Sequence, residues 1–161
     1  MPQRAGTARR LLITSGVIAT AHWPAHNDDT CNRPSPWRST LRDAAKLAED
    51  YIGLWNETDP ARRMALLAAT WATNATYVDP LMRGQGHGEI AGLVAAAQAK
   101  FPNLRFALLR PADGFGDHVR FSWGLGPVGH EPLVKGTDFV VRDGDRIKSV
   151  VGLLDHVPAG A

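Results

Sequence analysis

Apolar residues recur at helical spacing in three segments of the chain, and each segment predicts an amphipathic helix. The first runs from 41 to 56, with apolar positions at Leu41, Ala44, Ala45, Leu47, Ala48, Tyr51, Ile52 and Trp55. The second opens at Asp59-Pro60, a pair typical of an N-cap followed by a first-turn proline. Its apolar face comprises Met64, Leu67, Ala68 and Trp71. The third runs from about 89 to 100 and ends at Pro102-Asn103.

Strand-like patterns follow these helices. Residues 76–78 are β-branched or aromatic and predict a short strand, followed by a loop with Gly84, Gly86 and Gly88. Four further runs have strand character: 104–110, 118–125, 133–142 and 146–154. Asp113-Gly114 and Asp143-Gly144 are turn signals, the second joining two strands as a hairpin. This order indicates an α+β fold, a sheet with helices on one side and a pocket between them.

The first forty residues differ in character from the rest. Residues 22–40 are rich in Pro, Asn, Asp and Ser without helix or strand period, so we expect a disordered or poorly packed extension over 1–40 and a folded domain over 41–158. Arginines, an apolar run at 11–18 and Ala19-Thr20-Ala21 loosely resemble a signal peptide. That run is far below the roughly 20 residues that span a bilayer. We expect a cytoplasmic protein without a membrane segment, with secretion through this segment as the alternative.

The composition excludes several classes of protein. The 161 residues, 44% apolar and 21% charged, are typical of one globular domain, and the net charge of +2 indicates no basic face for a nucleic acid. The single cysteine, Cys31, forms neither an internal disulfide nor a cysteine metal site, and the histidines lack paired metal-ligand spacing. Nucleotide-binding and serine-hydrolase motifs do not occur. We therefore expect no metal, no cofactor and no nucleic-acid partner.

Three polar residues are the candidates for chemistry. Asp79 ends the strand-like run 76–78, Tyr51 lies on the apolar face of the first helix, and Asp138 is embedded in the apolar run 136–141. Two carboxylates and a phenol around one cavity suit proton transfer. Each also has a structural interpretation. Asp79 would accept backbone hydrogen bonds in a turn, Tyr51 would pack in the core, and Asp138 would pair with Lys135 or Arg120.

Aromatic residues and one histidine are candidates for binding a ligand. The predicted substrate-binding residues are Trp55, Phe121, Trp123, Phe139 and His87. Aromatic side chains supply the apolar walls of small-molecule pockets, although they are more often core. His87 opens the third helix, where it would cap the helix or lie at the pocket rim.

The pattern over 41–158 resembles the NTF2-like superfamily, which includes SnoaL-like polyketide cyclases, ketosteroid isomerases and limonene epoxide hydrolases. The segments that carry the resemblance are Thr76-Tyr77-Val78-Asp79-Pro80, Gly86-His87-Gly88-Glu89-Ile90, Phe101-Pro102-Asn103-Leu104, Phe121-Ser122-Trp123, Gly136-Thr137-Asp138-Phe139, Asp143-Gly144 and Arg146-Ile147. The resemblance implies a cone-shaped α+β fold, with three N-terminal helices packed on a curved, mostly antiparallel sheet that encloses a pocket. It also implies a homodimer that forms through the outer face of the sheet.

Two segments look like those of ketosteroid isomerases. Tyr51-Ile52-Gly53-Leu54-Trp55-Asn56 is similar to their helix-one tyrosine segment, and Val78-Asp79-Pro80 to their general-base segment. The resemblance implies Asp79 as base and Tyr51 as oxyanion donor. Aligned on the Asp143-Gly144 turn, Thr137 takes the place of the family's second acid, and Asp138 is displaced by one residue. Because adjacent strand residues face opposite ways, either Thr137 or Asp138 faces the pocket.

The sequence thus predicts a protein that binds a small apolar carbonyl compound and catalyses cofactor-free proton transfer, as an isomerase or cyclase. A non-catalytic ligand-binding or assembly domain is the alternative. Epoxide hydrolysis would require an Asp-Arg-Asp constellation, for which Arg120 is the candidate arginine. SnoaL-like cyclases are similar in placing an acid/base residue late in the sheet, where Asp155-His156 lies here.

Overall fold

The computed structural model describes residues 36–158, so the signal-like segment and most of the predicted extension lie outside the described residues. Three helices and seven strands follow one another along the chain. Their bounds are α1 Pro36–Asn56, α2 Pro60–Thr70, β1 Trp71–Val78, β2 Arg83–Gln85, α3 Gly86–Lys100, β3 Arg105–Leu108, β4 Asp113–Phe115, β5 His118–Gly126, β6 Val134–Asp143 and β7 Arg146–His156. None of the helices described is long and apolar enough to cross a membrane.

The strands form one curved, unclosed mixed sheet. Its order is β2-β1-β7-β6-β5-β3, and β4 pairs with β5. The β1–β7 pairing is parallel and the others are antiparallel. The expected α+β fold with a mostly antiparallel sheet is confirmed.

The helices cover one face of the sheet, and the core lies between the two layers. In β5 and β6 alternate residues point to this inner face, as the strand period requires. Fully or almost fully buried side chains on the sheet side include Val119, Phe121 and Val140, and on α1 they include Ala48 and Leu54. Within the described residues the other sheet face carries partly exposed apolar side chains such as Phe139 and Val151.

Local capping and turn chemistry was predicted correctly at two places. Asp59 is the N-cap of α2, its Oδ1 accepting the Arg62 N–H over 2.8 Å, and Pro60 occupies the first turn. Asp143 pairs with Arg146 across the hairpin, and Gly144 adopts a φ of 60°, which glycine tolerates without strain. Both signals act within a few residues, so their outcome depends little on the rest of the fold.

Several predicted boundaries were wrong. Helix α1 begins at Pro36 and not at 41, since proline is tolerated in a first turn whose N–H groups have no helical partner. Trp71, predicted on the apolar face of the second helix, is the first residue of β1. Met64 is exposed, and the adjacent Arg63 is buried instead, donating to the Glu57 carbonyl and to Gln98 Oε1. Asp113-Gly114 lies inside β4 and is not a turn.

Candidate functional site

A pocket with a cavity volume of about 80 Å³ lies between the helices and the inner sheet face. Most of its lining is apolar, as in small-molecule sites generally. The lining residues are Tyr51, Trp55, Tyr77, Asp79, Leu81, Met82, Ala97, Lys100, Phe101, Phe106, Trp123, Leu125, Val134, Leu154 and Val157. Among these residues the polar side-chain groups are few: two phenols, one carboxylate, one ammonium and two indole N–H groups.

Asp138 lies on β6, fully buried behind this lining. Its Oδ2 accepts a hydrogen bond from the Tyr51 hydroxyl over 2.5 Å, and its Oδ1 accepts one from Trp123 Nε1 over 2.9 Å. Thr137 points to the opposite face, where its hydroxyl donates to Asp155 Oδ2 over 2.7 Å. Of the two alternatives left open by the sequence, Asp138 is the residue on the inner face.

The two residues that were expected to pair with Asp138 form ion pairs elsewhere. Lys135 pairs with Glu131, and Arg120 pairs with Asp113 over 3.1 Å on a half-exposed part of the sheet. Arg120 is also absent from the pocket lining, so the described residues do not form the Asp-Arg-Asp constellation that epoxide hydrolysis needs. Hydrogen-bond donors without charge hold this buried carboxyl group.

Burial raises the pKa of Asp138 from 3.8 to about 6. The hydrogen bonds from Trp123 and Tyr51 lower this pKa, while the charges of Asp79 and Asp155 raise it. The pKa of Tyr51 is raised well above 10, first by burial and then by the Asp138 charge. Asp138 therefore changes charge near neutral pH, while Tyr51 keeps its proton.

Asp79 closes a turn and lines the pocket at once. Its Oδ1 accepts the backbone N–H groups of Leu81 and Met82, both over 2.7 Å. Its Oδ2 accepts the Tyr77 hydroxyl over 2.8 Å. The turn interpretation and a place in the pocket are thus compatible. Burial is the main cause that raises the pKa of Tyr77, which keeps this phenol protonated.

Tyr77 is a pocket residue that the sequence interpretation missed. It lies two positions before Asp79 on β1, and residues two apart in a strand share a face. That spacing was the available signal, since placing Asp79 at the pocket places Tyr77 there too.

Two glycines bring the polar groups together. A Cβ at Gly152 of β7 would lie 3.0 Å from Asp138 Oδ1 and 3.1 Å from Asp79 Cβ, so both acidic side chains flank this one position. A Cβ at Gly136 would lie only 2.5 Å from Trp123 Cζ2. The indole therefore lies against bare backbone, and its Nε1 reaches Asp138. Side chains at either position would push these groups apart.

The predicted binding residues divide into two groups. Trp55 and Trp123 line the pocket. Phe121 is buried outside the lining and packs edge-on against Tyr51, with ring centroids 4.9 Å apart. Phe139 is 45% exposed on the outer sheet face, because it follows the inward-facing Asp138. His87 also lies outside the lining, with Nε2 3.1 Å from the Trp71 carbonyl oxygen. None of these last three residues lines the pocket.

The late pair Asp155-His156 does not contribute to the lining either, and Asp155 is exposed. Within residues 36–158, no three His, Cys, Asp or Glu side chains come together as metal ligands. The site in the described part of the chain therefore consists of carboxyl, phenol and indole groups and one ammonium group around an apolar cavity.

Comparison with known protein families decides the family of this chain. A model of the SnoaL-like domain matches residues 48–150. The chain belongs to the SnoaL-like family. A candidate isomerase of that family from Agrobacterium tumefaciens str. C58 has a solved structure that is 42% identical in sequence. The match covers 71% of this SnoaL-like chain and 99% of the other, with a TM-score of 0.68.

More distant solved structures share the fold of this SnoaL-like domain. One is a protein with a ketosteroid isomerase-like fold from Catenulispora acidiphila DSM 44928, solved in complex with trimethylamine. It is 24% identical, the match covers 66% of this chain and 83% of that one, and the TM-score is 0.54. Another is a candidate polyketide cyclase from Sinorhizobium meliloti, at 18% identity, covering 70% and 97%, with a TM-score of 0.54. No curated protein matches the chain.

Proposed function

We propose that this SnoaL-like protein binds a small, largely apolar carbonyl compound and catalyses cofactor-independent proton transfer on it, as an isomerase or a cyclase. The observation that carries the proposal is the arrangement of two carboxyl groups at one apolar pocket: Asp79 lines it, and Asp138 is buried behind Tyr51. Proton transfer beside a carbonyl needs a base at the carbon and a donor at the oxygen that becomes negative. The 42% identical candidate isomerase supports this class of reaction.

Asp79 is the proposed base. The two backbone N–H groups at Oδ1 fix the orientation of the carboxylate. Oδ2 accepts one hydrogen bond within the described residues, from Tyr77, and keeps a lone pair for the substrate proton. The turn thus orients the base and does not compete with its use.

Tyr51 is the proposed oxyanion donor, and Asp138 controls where its proton points. With Asp138 ionised, the phenol donates to Asp138 Oδ2. With Asp138 protonated, which its pKa of about 6 allows at mildly acidic pH, the carboxyl O–H can donate to the phenol oxygen. The phenol proton is then released toward a ligand in the pocket. Asp138 acts here as a positioning residue.

Proton exchange into ketones tests the proposal. Cyclic ketones and enones are incubated in heavy water, and exchange beside the carbonyl is followed by NMR for the wild type, Asp79→Asn and Asp117→Asn. Asparagine at 79 keeps a side-chain oxygen for the turn, and the exposed Asp117 is the control carboxylate. We expect exchange in the wild type and the Asp117 variant and its loss in the Asp79 variant. Equal exchange by all three proteins contradicts the assignment of the base.

A non-catalytic ligand-binding or assembly domain is the second candidate function. It is favoured by the turn at Asp79, because three hydrogen bonds account for this side chain without any chemistry. If neither the wild type nor Asp79→Asn exchanges any ketone, while both quench tryptophan fluorescence on binding the same compounds, this second function replaces the first.

We also propose that two copies of the chain pair through the outer sheet face. Val78, Phe139, Val151 and Leu153 are each roughly half exposed there. Val151 is the register partner of both Val78 and Phe139, so these apolar side chains are contiguous. Sedimentation equilibrium should give a dimer for the wild type and a monomer for Val151→Asp; a monomeric wild type contradicts the pairing. Cytoplasmic localisation stays a prediction.

A further inference from the structure

The indole N–H of Trp55 is a buried donor beside the pocket. Trp55 is 4% exposed and lines the pocket, yet its Nε1 has no hydrogen-bond partner within the described residues. A buried donor without an acceptor is costly, and such groups in native proteins call for an explanation.

Apart from the Lys100 ammonium, which lies over the Phe101 ring, the other side-chain donors of the lining are already engaged. Tyr51 and Trp123 both donate to Asp138, and Tyr77 donates to Asp79. Asp138 itself is fully buried, outside the lining, with both oxygens occupied. A ligand oxygen that meets Tyr51 therefore needs its second donor from a residue other than this acid.

Trp55 occupies the place from which such a donor can act. It follows Tyr51 by one helical turn on α1, and the two ring centroids are 6.1 Å apart. The centroid of the Trp55 ring also lies 5.3 Å from that of the Tyr77 ring.

We propose that Trp55 Nε1–H donates a hydrogen bond to the carbonyl oxygen of the ligand, beside the Tyr51 hydroxyl. Trp55 then selects ligands with an acceptor atom over hydrocarbons of the same shape. This inference rests on the proposed function for its choice of ligand, but it concerns recognition and needs no turnover.

The test compares 1-tetralone with tetralin, which share one carbon skeleton and differ in the carbonyl oxygen. Affinities are measured by calorimetry for the wild type, Trp55→Phe and Trp71→Phe. Trp71 is the matched control, because its Nε1 is also buried and unpartnered but the residue lies outside the lining. We expect the wild type to prefer the ketone and Trp55→Phe to lose about three- to tenfold of that preference, the range of one neutral hydrogen bond. Trp71→Phe should keep it.

A second measurement does not depend on the folding of a variant. The chain has 5 tryptophans, so the indole region of a ¹⁵N-correlated spectrum is simple, and the Trp55 signal is identified through its proximity to the Tyr77 ring, 5.3 Å between centroids. We expect a downfield shift of this N–H proton with 1-tetralone and none with tetralin. An unshifted signal, an unchanged preference in Trp55→Phe, or an equal loss in Trp71→Phe overturns the inference. Absence of ketone exchange with the preference intact contradicts only the proposed function.

Discussion

Replacing Asp138 with asparagine should stabilise the protein at alkaline pH. At pH 8 the folded protein holds an ionised carboxylate where burial favours the neutral acid. Asparagine is close in shape to that neutral acid. Its oxygen can accept the Trp123 N–H, and its amide can donate to the Tyr51 oxygen, so both neighbours keep a partner.

The magnitude follows from the pKa of Asp138, which is 3.8 without burial and about 6 in the folded protein. Because the folded pKa is higher, the folded state binds more protons between these values, and stability falls as pH rises through this window. Each pKa unit corresponds to about 1.4 kcal/mol, so the full loss is about 3 kcal/mol, of which about 2 kcal/mol falls between pH 4.5 and pH 8.

Urea denaturation at pH 4.5 and pH 8 checks this prediction for the wild type, Asp138→Asn and the control Asp117→Asn. The free energy of unfolding of Asp138→Asn, minus that of the wild type, should be about 2 kcal/mol higher at pH 8 than at pH 4.5. Asp117 is exposed, so its variant should follow the wild type. A difference that does not change with pH, or that decreases toward pH 8, would refute the reasoning.

Other consequences concern the groups around Asp138. Gly152→Ala should lower the free energy of unfolding, measured by urea denaturation, by about 1–3 kcal/mol, because the new methyl group would press against Asp138 and Asp79. The control Gly92→Ala, whose methyl group would enter open space on α3, should be neutral or stabilising. Equal effects of the two changes would contradict this. Trp123→Phe should raise the pKa of Asp138 above about 6, because a hydrogen bond that lowers this pKa is lost. Titration of the ¹³C signal of the Asp138 carboxyl carbon measures the pKa. A lower pKa in the variant would contradict the prediction.

Local signals in the sequence were sufficient to predict those features of the structure that depend on a few neighbouring residues. The Asp59-Pro60 cap and the Asp143-Gly144 hairpin are examples, since a cap or a turn is set by a few adjacent residues. The pairing of Tyr51 with Asp138 joins residues 87 positions apart, and no local pattern contains it. The inner-face position of both residues had to come from the fold.

Which of Thr137 and Asp138 points to the inner sheet face could not be predicted, because the answer depends on strand register. The pairing of β6 with β7 has a register irregularity between Val141 and Arg142, where the extra residue is Lys148 of β7. One extra residue in a strand reverses every face assignment beyond it, and sequence alternation does not reveal its position. An alignment on the turn therefore starts beside an irregular pairing, and the inner-face position of Asp138 follows from the structure. Phe139 was assigned to the pocket because its aromatic character was considered without this register.

The parallel pairing of β1 with β7 has a consequence for how the protein is made. Residues 76–78 lie beside residues 149–151, so the last of the described strands is inserted next to the first long one, near the middle of the sheet. Gly152, between the two acidic side chains, belongs to that same last strand. During synthesis the pocket stays open until β7 leaves the ribosome, and such distant contacts slow folding. The edges of β1 and β6 are then without the strand that joins them while the chain is growing, which makes this interval the period of greatest exposure to aggregation.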